Sequence, residues 1–552
     1  MSLPSHSVVA RAAAVSALLA GIGSAFGLVR DVLVGALFGA NQQTDAFFVA
    51  WTVPEATAPL LIEGTMAFVM VPAFGRALAA AEARRTGTPG DDADPMRELI
   101  EATFLRIVIG LGLVAVLIAV AAPWLIGVLA PGLEDPGLAT RCLRAVAVTV
   151  PLFGIAGYLA AALRTHYVFA PPAALNLAYN VGIITTILLT YQWLGVLGAA
   201  IGISVGAVLM VVIQSPSALR RLPMPHRFSL RRTSTLLAFA AFLPVAAHSL
   251  ARQAQVLVER FAAAPPAWFG APLAEGTISH LNYAQKIAQI PITLSFMAAA
   301  VTFPIFAKSV ASGSLDQARR RMEIDTAVLG GIALLVIAYL TLYATPVVEV
   351  LFQRREFDAE DTAATAAILH IYVLGILGQA LVSLLVRPFF TFHSRIWFPA
   401  IAMLWGLLVT VVATFLLVGP FGAQGIAGSN ALGISVTAVI LAIGARTRLS
   451  TAPTLAAYGR MALLAVPVGI AALAGFGVHQ LLAGAPAIVL AGVGGIVMVV
   501  VACGLVALAL RWRARRAADH AAGHAADSAA DSAADSAADS AADSSADPGG
   551  RP

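Results

Sequence analysis

The chain of 552 residues is 59% apolar and only 11% charged, and its mean hydropathy is +0.86. An ordinary soluble domain has about 25% charged residues, so this composition excludes a soluble globular protein. Apolar stretches of about 18 residues or more recur from Val8 to Leu510, and each is long enough to cross a bilayer as a helix. The sequence therefore predicts an all-α polytopic membrane protein.

The apolar stretches are separated by turn residues and charges, and they predict about fourteen membrane-spanning helices. Their predicted ranges are 8–38, 44–79, 99–130, 138–166, 173–192, 195–218, 234–263, 276–309, 322–345, 359–391, 396–418, 422–445, 455–482 and 485–511. The two cysteines, Cys142 and Cys503, have no metal-ligand or redox spacing. We therefore interpret them as ordinary small residues.

Two adjacent charges, Arg30 and Asp31, lie within the first predicted helix. An ionisable side chain near the bilayer centre costs about 2.5–3.5 kcal/mol, so it usually faces a protein interior or a watery cavity. Adjacent residues do not share a helix face, so one of the two is expected to face a cavity while the other supports a neighbouring helix. The alternative is an interfacial pair whose side chains reach the membrane surface.

The second predicted helix carries three carboxylates close to two prolines. The carboxylates are Asp45, Glu55 and Glu63, and the prolines are Pro54 and Pro59. Proline bends or breaks a helix, and a broken helix in a membrane can line a cavity. The carboxylates are therefore expected either to contact substrate or an ion, or to pair with buried arginines.

The seventh and eighth helices each carry a polar face. On the seventh, spacings of four, three and four place four polar residues on one stripe: His248, Arg252, Gln255 and Glu259. The eighth carries Asn282, Gln285, Lys286 and Gln289. Both faces are expected to border one space, where two cations at depth favour an anion. The alternative is that the two clusters hold neighbouring helices together.

Two motifs recur at nearly the same offset. Residues 69–76 match residues 301–308, and Gly202–Val208 matches Gly433–Val439. An offset of six helices gives both halves the same topology, with a pseudo-twofold axis along the membrane normal; chance recurrence in an Ala/Val/Gly-rich chain is the alternative. The predicted organisation is an N-lobe (1–218, helices one to six), a basic cytoplasmic linker (219–233), a C-lobe (234–446, helices seven to twelve) and two appended helices (447–512).

Lys and Arg concentrate in the loops that follow even-numbered helices, which predicts that both termini are cytoplasmic. The apolar stretch after Arg11 is too long for a cleaved signal peptide and is interpreted as a retained first helix. The last segment, 513–552, repeats Ala-Ala-Asp-Ser. It has nothing to bury and is predicted to be a disordered cytoplasmic tail.

A basic, broad cavity between two apolar lobes suits an amphiphile with a phosphorylated head and a tail that stays in lipid. Several stretches resemble the bacterial lipid II flippase family (MurJ, also called MviN) of the MOP superfamily, over about residues 8–510. They are Arg30–Gly39, Thr44–Ala50, Pro54, Glu63-Gly64, Asn282–Ile287, Pro291 and Leu351–Phe357. The resemblance implies fourteen helices and an alternating-access mechanism.

The resemblance also implies functional positions in the cavity, at Arg30, Asp31, Asp45, Glu63 and Lys286, with Lys286 standing where an arginine is usual. Ser24 and Ala58 replace two further arginines, so fewer bidentate phosphate contacts remain. Arg252 is a candidate to compensate for them. The full set of candidate substrate-binding residues is Arg30, Asp31, Asp45, Glu63, Arg252, Gln255, Glu259, Asn282 and Lys286.

The sequence therefore predicts a flippase for the lipid-linked peptidoglycan precursor lipid II in the bacterial inner membrane, with Arg30, Arg252 and Lys286 holding the diphosphate. Alternatives are a flippase for another polyprenyl-diphosphate glycan (an O-antigen or exopolysaccharide precursor), a MATE-type cation or drug antiporter, or a non-transporting scaffold. No enzymatic site, nucleic-acid partner or cofactor is expected, and no nucleotide motif is present. We expect a monomer, with Na⁺ or H⁺ as a coupling ion at Glu259 or Asp45.

Overall fold

The computed structural model describes residues 6–63, 65–86, 94–223, 243–266, 273–290, 306, 309–310, 312–391 and 396–544. Within these ranges all regular structure is helical, and no strand is present. Ten segments of the described chain are long and apolar enough to cross a membrane. The prediction of an all-α, multi-pass membrane protein is confirmed.

The N-terminal half of the chain, up to Arg221, forms nine helices among the described residues. They are α1 (His6–Phe38), α2 (Gln42–Ala58), α3 (Thr65–Thr86), α4 (Pro95–Leu129), α5 (Pro136–Ala147), α6 (Thr149–Thr165), α7 (Ala170–Ala173), α8 (Leu175–Leu194) and α9 (Val196–Arg221). The Asn41 side chain caps α2 by accepting hydrogen bonds from the backbone of Gln43 and Thr44. At Pro59 the helix gives way to a π-helical turn that ends at Glu63, at the site of the predicted bend.

The C-terminal half begins at Leu243 in the described structure. Its helices are α10 (Leu243–Ala263), α11 (277–290), α12 (Leu315–Phe352), α13 (Ala359–Tyr372), α14 (Ile376–Thr391), α15 (Phe398–Arg448), α16 (Leu455–Leu463), α17 (Ala465–Leu481) and α18 (Ala487–Ser544). Most of the predicted linker, 224–233, and most of the second copy of the first motif, 301–305 and 307–308, lie outside the described residues.

Two helical hairpins, one in each half, turn at a glycine. Gly195 joins α8 to α9 with φ +53°, and Gly422 divides α15 into two arms with φ +52°, a conformation that glycine adopts without strain. The recurrent motif follows each turn, since Gly202 lies seven residues after Gly195 and Gly433 eleven after Gly422. The difference of four residues is about one helical turn, so both motif glycines lie on the same side of their helix.

The end of the chain is helical in the structure, and its disorder in solution stays a prediction. The last helix, α18, continues without interruption to Ser544, through most of the Ala-Ala-Asp-Ser repeat. Composition alone indicated a segment with nothing to bury, but alanine has the highest intrinsic helix propensity, and two of every four residues of the repeat are alanine. Local propensity therefore accounts for a helix that has no apolar face.

The two halves meet where α1 turns into α2, and we call this contact the closed end. The backbone N–H of Gln42 donates to Glu275 (3.2 Å), and the Tyr283 hydroxyl donates to the Gly39 carbonyl (3.2 Å). The Tyr283 ring also packs edge-to-face on Phe48, with centroids 5.4 Å apart. Apolar and aromatic side chains from both halves fill this end and belong to one buried core.

The arms of α15 approach each other too closely for a side chain at Gly406. A Cβ atom there would lie 2.7 Å from the Gly433 carbonyl oxygen, while Gly504 in α18 has no neighbour within 4 Å. We predict that Gly406→Ala lowers the thermal unfolding temperature of the purified protein, because the helices must separate. Gly504→Ala is the control and should leave that temperature unchanged or raise it. Equal unfolding temperatures for the two variants would contradict the described packing.

Candidate functional site

A cavity of about 400 Å³ lies between the two halves. Its lining residues are Glu55, Pro59, His248, Ser249, Arg252, Gln253, Gln255, Val256, Gln285, Gln289, Gln379, Ser383 and Asn430. Only the first two come from the N-terminal half, and the others come from α10, α11, α14 and α15. The polar faces predicted on helices seven and eight therefore border one space, as expected.

The cavity lies away from the closed end. The closed end uses the start of α2 and the start of α11, where Asp45 contacts Ser279. The lining residues lie further along both helices, at Glu55 in α2 and at Gln285 and Gln289 in α11. The halves are thus joined at one end and separated by a polar cavity further along.

Arg252 is the cation with the most direct access to the cavity. Its side chain is exposed to the cavity, and in the described part of the chain it forms no hydrogen bond or ion pair. A guanidinium in a membrane protein is stable only when it is paired or reaches water. Because Arg252 is unpaired, it is available to an anionic ligand.

Lys286 also reaches the cavity region, but it is paired. Its Nζ atom lies 2.5 Å from Oε1 of Glu55, and both side chains are largely buried. The Glu55 carbonyl in turn accepts a hydrogen bond from the Gln253 side chain (2.6 Å). This ion pair joins α11 to α2 and so joins the two halves; an anion that binds Lys286 would share its ammonium group with Glu55 or replace Glu55.

Arg30 was expected to hold the diphosphate in the cavity, but the structure places its side chain elsewhere. It is not on the cavity wall, because its guanidinium donates to Asp31 (2.7 and 3.0 Å) and to the Asn180 side chain (2.9 Å). It also lies 4.5 Å from the centroid of the Trp51 ring. Arg30 and Asp31 also do not diverge as expected, since the long arginine side chain folds back to its neighbour; contact of Arg30 with substrate stays a prediction. In this conformation the pair is a buried, neutralised unit within the N-terminal half.

Asp45 is buried at the closed end. Its Oδ1 atom accepts hydrogen bonds from the backbone N–H (2.8 Å) and the hydroxyl (2.6 Å) of Ser279. Asp45 therefore links the start of α2 to the start of α11, across the two halves. It does not line the main cavity, and its contacts are those of a residue that holds the halves together.

Glu259 is almost fully buried, at 1% exposure. One carboxylate oxygen accepts a hydrogen bond from the Asn430 side chain, and the Tyr372 hydroxyl lies close enough to the carboxylate to act on it. Asn430 lines the cavity, so Glu259 lies directly behind the cavity wall.

The remaining predicted residues are more dispersed. Gln255 lines the cavity and donates a hydrogen bond to Thr410 (3.3 Å), whereas Asn282 is buried in α11, away from the lining. The side chain of Glu63 lies outside the described structure. A contact of any of these residues with substrate remains a prediction.

Sequence reasoning missed Arg260, which is fully buried beside Glu259. Its Nη1 atom donates to the Ile278 carbonyl (3.2 Å), and its Nε and Nη2 atoms have no partner in the described structure. Its charge acts on both Asp45 and Glu259. The available signal was a second charge directly beside Glu259, off the polar stripe of α10.

The sequence matches the family model described as lipid II flippase MurJ over residues 34–493. A lipid II flippase MurJ from Burkholderia cenocepacia is 26% identical over 437 residues, which cover 76% of this chain and 81% of that protein. A probable lipid II flippase MurJ from Aquifex aeolicus is 25% identical over an alignment that covers 66% of this chain and 69% of that protein.

Solved structures give the same fold. A lipid II flippase MurJ in an inward closed conformation superposes with a TM-score of 0.73 at 18% identity, covering 90% of this chain and 98% of that one. An inward-facing MATE family multidrug transporter of the MOP superfamily gives 0.62 at 14% identity, covering 78% of this chain and 94% of the other. The family model spans most of the sequence, and the chain belongs to the lipid II flippase MurJ family.

Proposed function

We propose that this chain moves lipid II from the inner to the outer leaflet of the bacterial cytoplasmic membrane by alternating access. Membership of the family supports the substrate. The observation that carries the mechanism is Arg252, which faces a cavity between the halves and has no partner among the described residues. A negative cell interior favours outward movement of negative charge by about 2.3 kcal/mol per charge per 100 mV. That bias acts without nucleotide hydrolysis.

Fourteen spans in two six-helix lobes are the architecture we propose for this function. Counting the arms of α15 separately, and adding α2–α3, α10 and α11 to the ten apolar segments, gives fourteen. The matching glycine turns at Gly195 and Gly422 support a pseudo-twofold duplication. We further propose a monomer with both termini in the cytoplasm, as the placement of Lys and Arg indicates.

The diphosphate is proposed to enter beside Arg252 and then to compete with Glu55 for Lys286. Breaking the Lys286–Glu55 pair removes a link between the halves, so substrate binding loosens one contact that holds this conformation. Opening of the closed end would also require separation of Asp45 from Ser279. Arg30 is proposed to stabilise the N-terminal half and to meet substrate only after rearrangement.

Glu259 is the carboxylate we propose for ion coupling. Its burial directly behind the cavity wall supports binding of Na⁺ or H⁺, since a buried carboxylate needs a neutralising partner and the charge of Arg260 is shared between Glu259 and Asp45. Asp45 is the weaker candidate because its Oδ1 atom is already held by Ser279.

The fold of this chain is similar to that of MATE transporters, and an antiporter for cationic drugs is therefore an alternative function. Arg252 disfavours it, because its positive charge repels a cation in the cavity. A flippase for another polyprenyl-diphosphate glycan uses the same phosphate chemistry and differs only in the lipid that is moved.

Arg252→Ala is predicted to slow lipid II translocation by purified protein in proteoliposomes by about tenfold or more, because a charge-assisted phosphate contact is lost. Arg252→Lys should retain part of the rate, since it restores a point charge. Arg141→Ala, at an exposed position outside the cavity, is the matched control. An unchanged rate for Arg252→Ala would contradict the role of Arg252. Absence of translocation by the unchanged protein would support a scaffold role, and selective movement of an O-antigen or exopolysaccharide precursor would support the other glycan.

The double variant Asp45→Asn/Ser279→Ala is predicted to open the closed end. The exposed Cys503 is first replaced by serine, and cysteines are introduced at the exposed positions 43 and 360. Spin labels on these two cysteines then report the distance between the halves. The distance distribution should shift to longer values, because two hydrogen bonds across the halves are weakened. The matched control Asp316→Asn/Ser312→Ala makes the same chemical changes at exposed sites, and a distribution identical to it would refute the role of this contact.

Glu259→Gln is predicted to abolish the response of translocation to an imposed Na⁺ or H⁺ gradient, because the amide cannot take up the cation. Lipid II binding should stay within about twofold of the unchanged protein. The matched control is Glu349→Gln, at an exposed position. Persistent gradient dependence in Glu259→Gln would exclude this residue as the coupling site.

A further inference from the structure

One side of the cavity is formed by uncharged amide side chains, and we call it the amide wall. It consists of Gln255, Gln285, Gln379 and Asn430, contributed by α10, α11, α14 and α15 respectively. Gln285, Gln379 and Asn430 also line a small recess behind the cavity, so these three lie together. Convergence of amides from four helices, all of them in the C-terminal half, distinguishes this side from the one that carries Glu55.

The amide wall has unused hydrogen-bonding capacity. The side-chain oxygens of Gln285 and Gln379 are buried and accept no hydrogen bond within the described structure. Gln255 and Asn430 are oriented by their own contacts with Thr410 and Glu259. A buried amide oxygen without a partner is unfavourable, so a ligand that donates to it would gain binding free energy.

The chemistry of the amide wall favours a neutral ligand over a phosphate. A phosphate group offers only acceptor oxygens, so it could use the amide N–H groups of the wall but would leave the oxygens of Gln285 and Gln379 without a donor. The buried carboxylate of Glu259 lies behind Asn430 and repels an anion as well. Hydroxyl and amide groups both donate and accept hydrogen bonds, so they match side-chain amides.

Arg252 lies on the same cavity as the amide wall, and it has the opposite preference. Its guanidinium only donates and carries a full positive charge, which suits a diphosphate. The cavity therefore offers two chemically different surfaces to one ligand: a cationic one at Arg252 and the neutral amide wall, contributed by α10, α11, α14 and α15.

We propose that the amide wall binds the neutral part of the lipid head group, the hydroxyl and amide groups of its sugars and peptide, while Arg252 binds the diphosphate. This inference rests on the proposed flippase function. It assigns recognition of the glycan to the C-terminal half, and discrimination between lipid-linked glycans to Gln285 and Gln379.

The test compares two ligands: lipid II, and undecaprenyl diphosphate, which has the same diphosphate but no sugar or peptide. Binding of each is measured on the purified full-length protein in nanodiscs. The variant is Gln285→Leu/Gln379→Leu, which keeps side-chain size and removes the amides. Gln480→Leu, the same change at an exposed position in α17, is the matched control.

The unchanged protein and the control should bind lipid II about tenfold more tightly than undecaprenyl diphosphate, as one or two hydrogen bonds would provide. The double variant should bind the two lipids within about twofold of each other, with undecaprenyl diphosphate binding unchanged. If the double variant does not fold, Gln379→Leu alone, at a half-buried position, should reduce the preference part of the way.

A tenfold preference that survives in the folded double variant would overturn the proposal, and so would equal binding of both lipids by the unchanged protein. Arg252→Ala should weaken the binding of both lipids by the same factor. A selective loss of lipid II binding in that variant would also overturn the proposal. Failure of the flippase function itself is distinguishable, because the unchanged protein would then not translocate lipid II in proteoliposomes, whichever of the two lipids it binds.

Discussion

A charged side chain inside an apolar helical bundle must either be paired or reach water, and this constraint organises the interior of the protein. Arg30 satisfies it through Asp31, Asn180 and the Trp51 ring. Lys286 satisfies it through Glu55. Arg252 has no such partner in the described chain and satisfies it by facing the cavity, which makes it the cation available to a ligand.

The same constraint ties binding to conformation. The pairs Lys286–Glu55 and Asp45–Ser279 each join a helix of the N-terminal half to α11. Polar contacts across the halves are stronger where water is excluded, and each is lost when the halves separate. A ligand anion that attracts Lys286 therefore acts on a contact that also holds the halves together. This arrangement couples the cavity to the closed end without any separate signalling element.

The membrane class, most helix ranges and the polar face of α10 followed from the sequence, because hydrophobic length and helical periodicity depend on local order along the chain. Periodicity shows which residues share a face but not which distant residue they meet. The Arg30–Asn180 contact spans 150 positions and the Lys286–Glu55 pair 231, so both cations were assigned to the cavity as if they were free. Arg260 was missed because a single buried charge beside Glu259 has no pattern of its own.

The most direct test of the central claim is an experimental structure of the full chain in a lipid nanodisc with lipid II bound. We predict that the diphosphate lies within hydrogen-bond distance, about 3 Å, of the Arg252 guanidinium, while Arg30 stays bonded to Asp31. A structure in which the diphosphate contacts Arg30 and leaves Arg252 without a ligand would contradict this prediction.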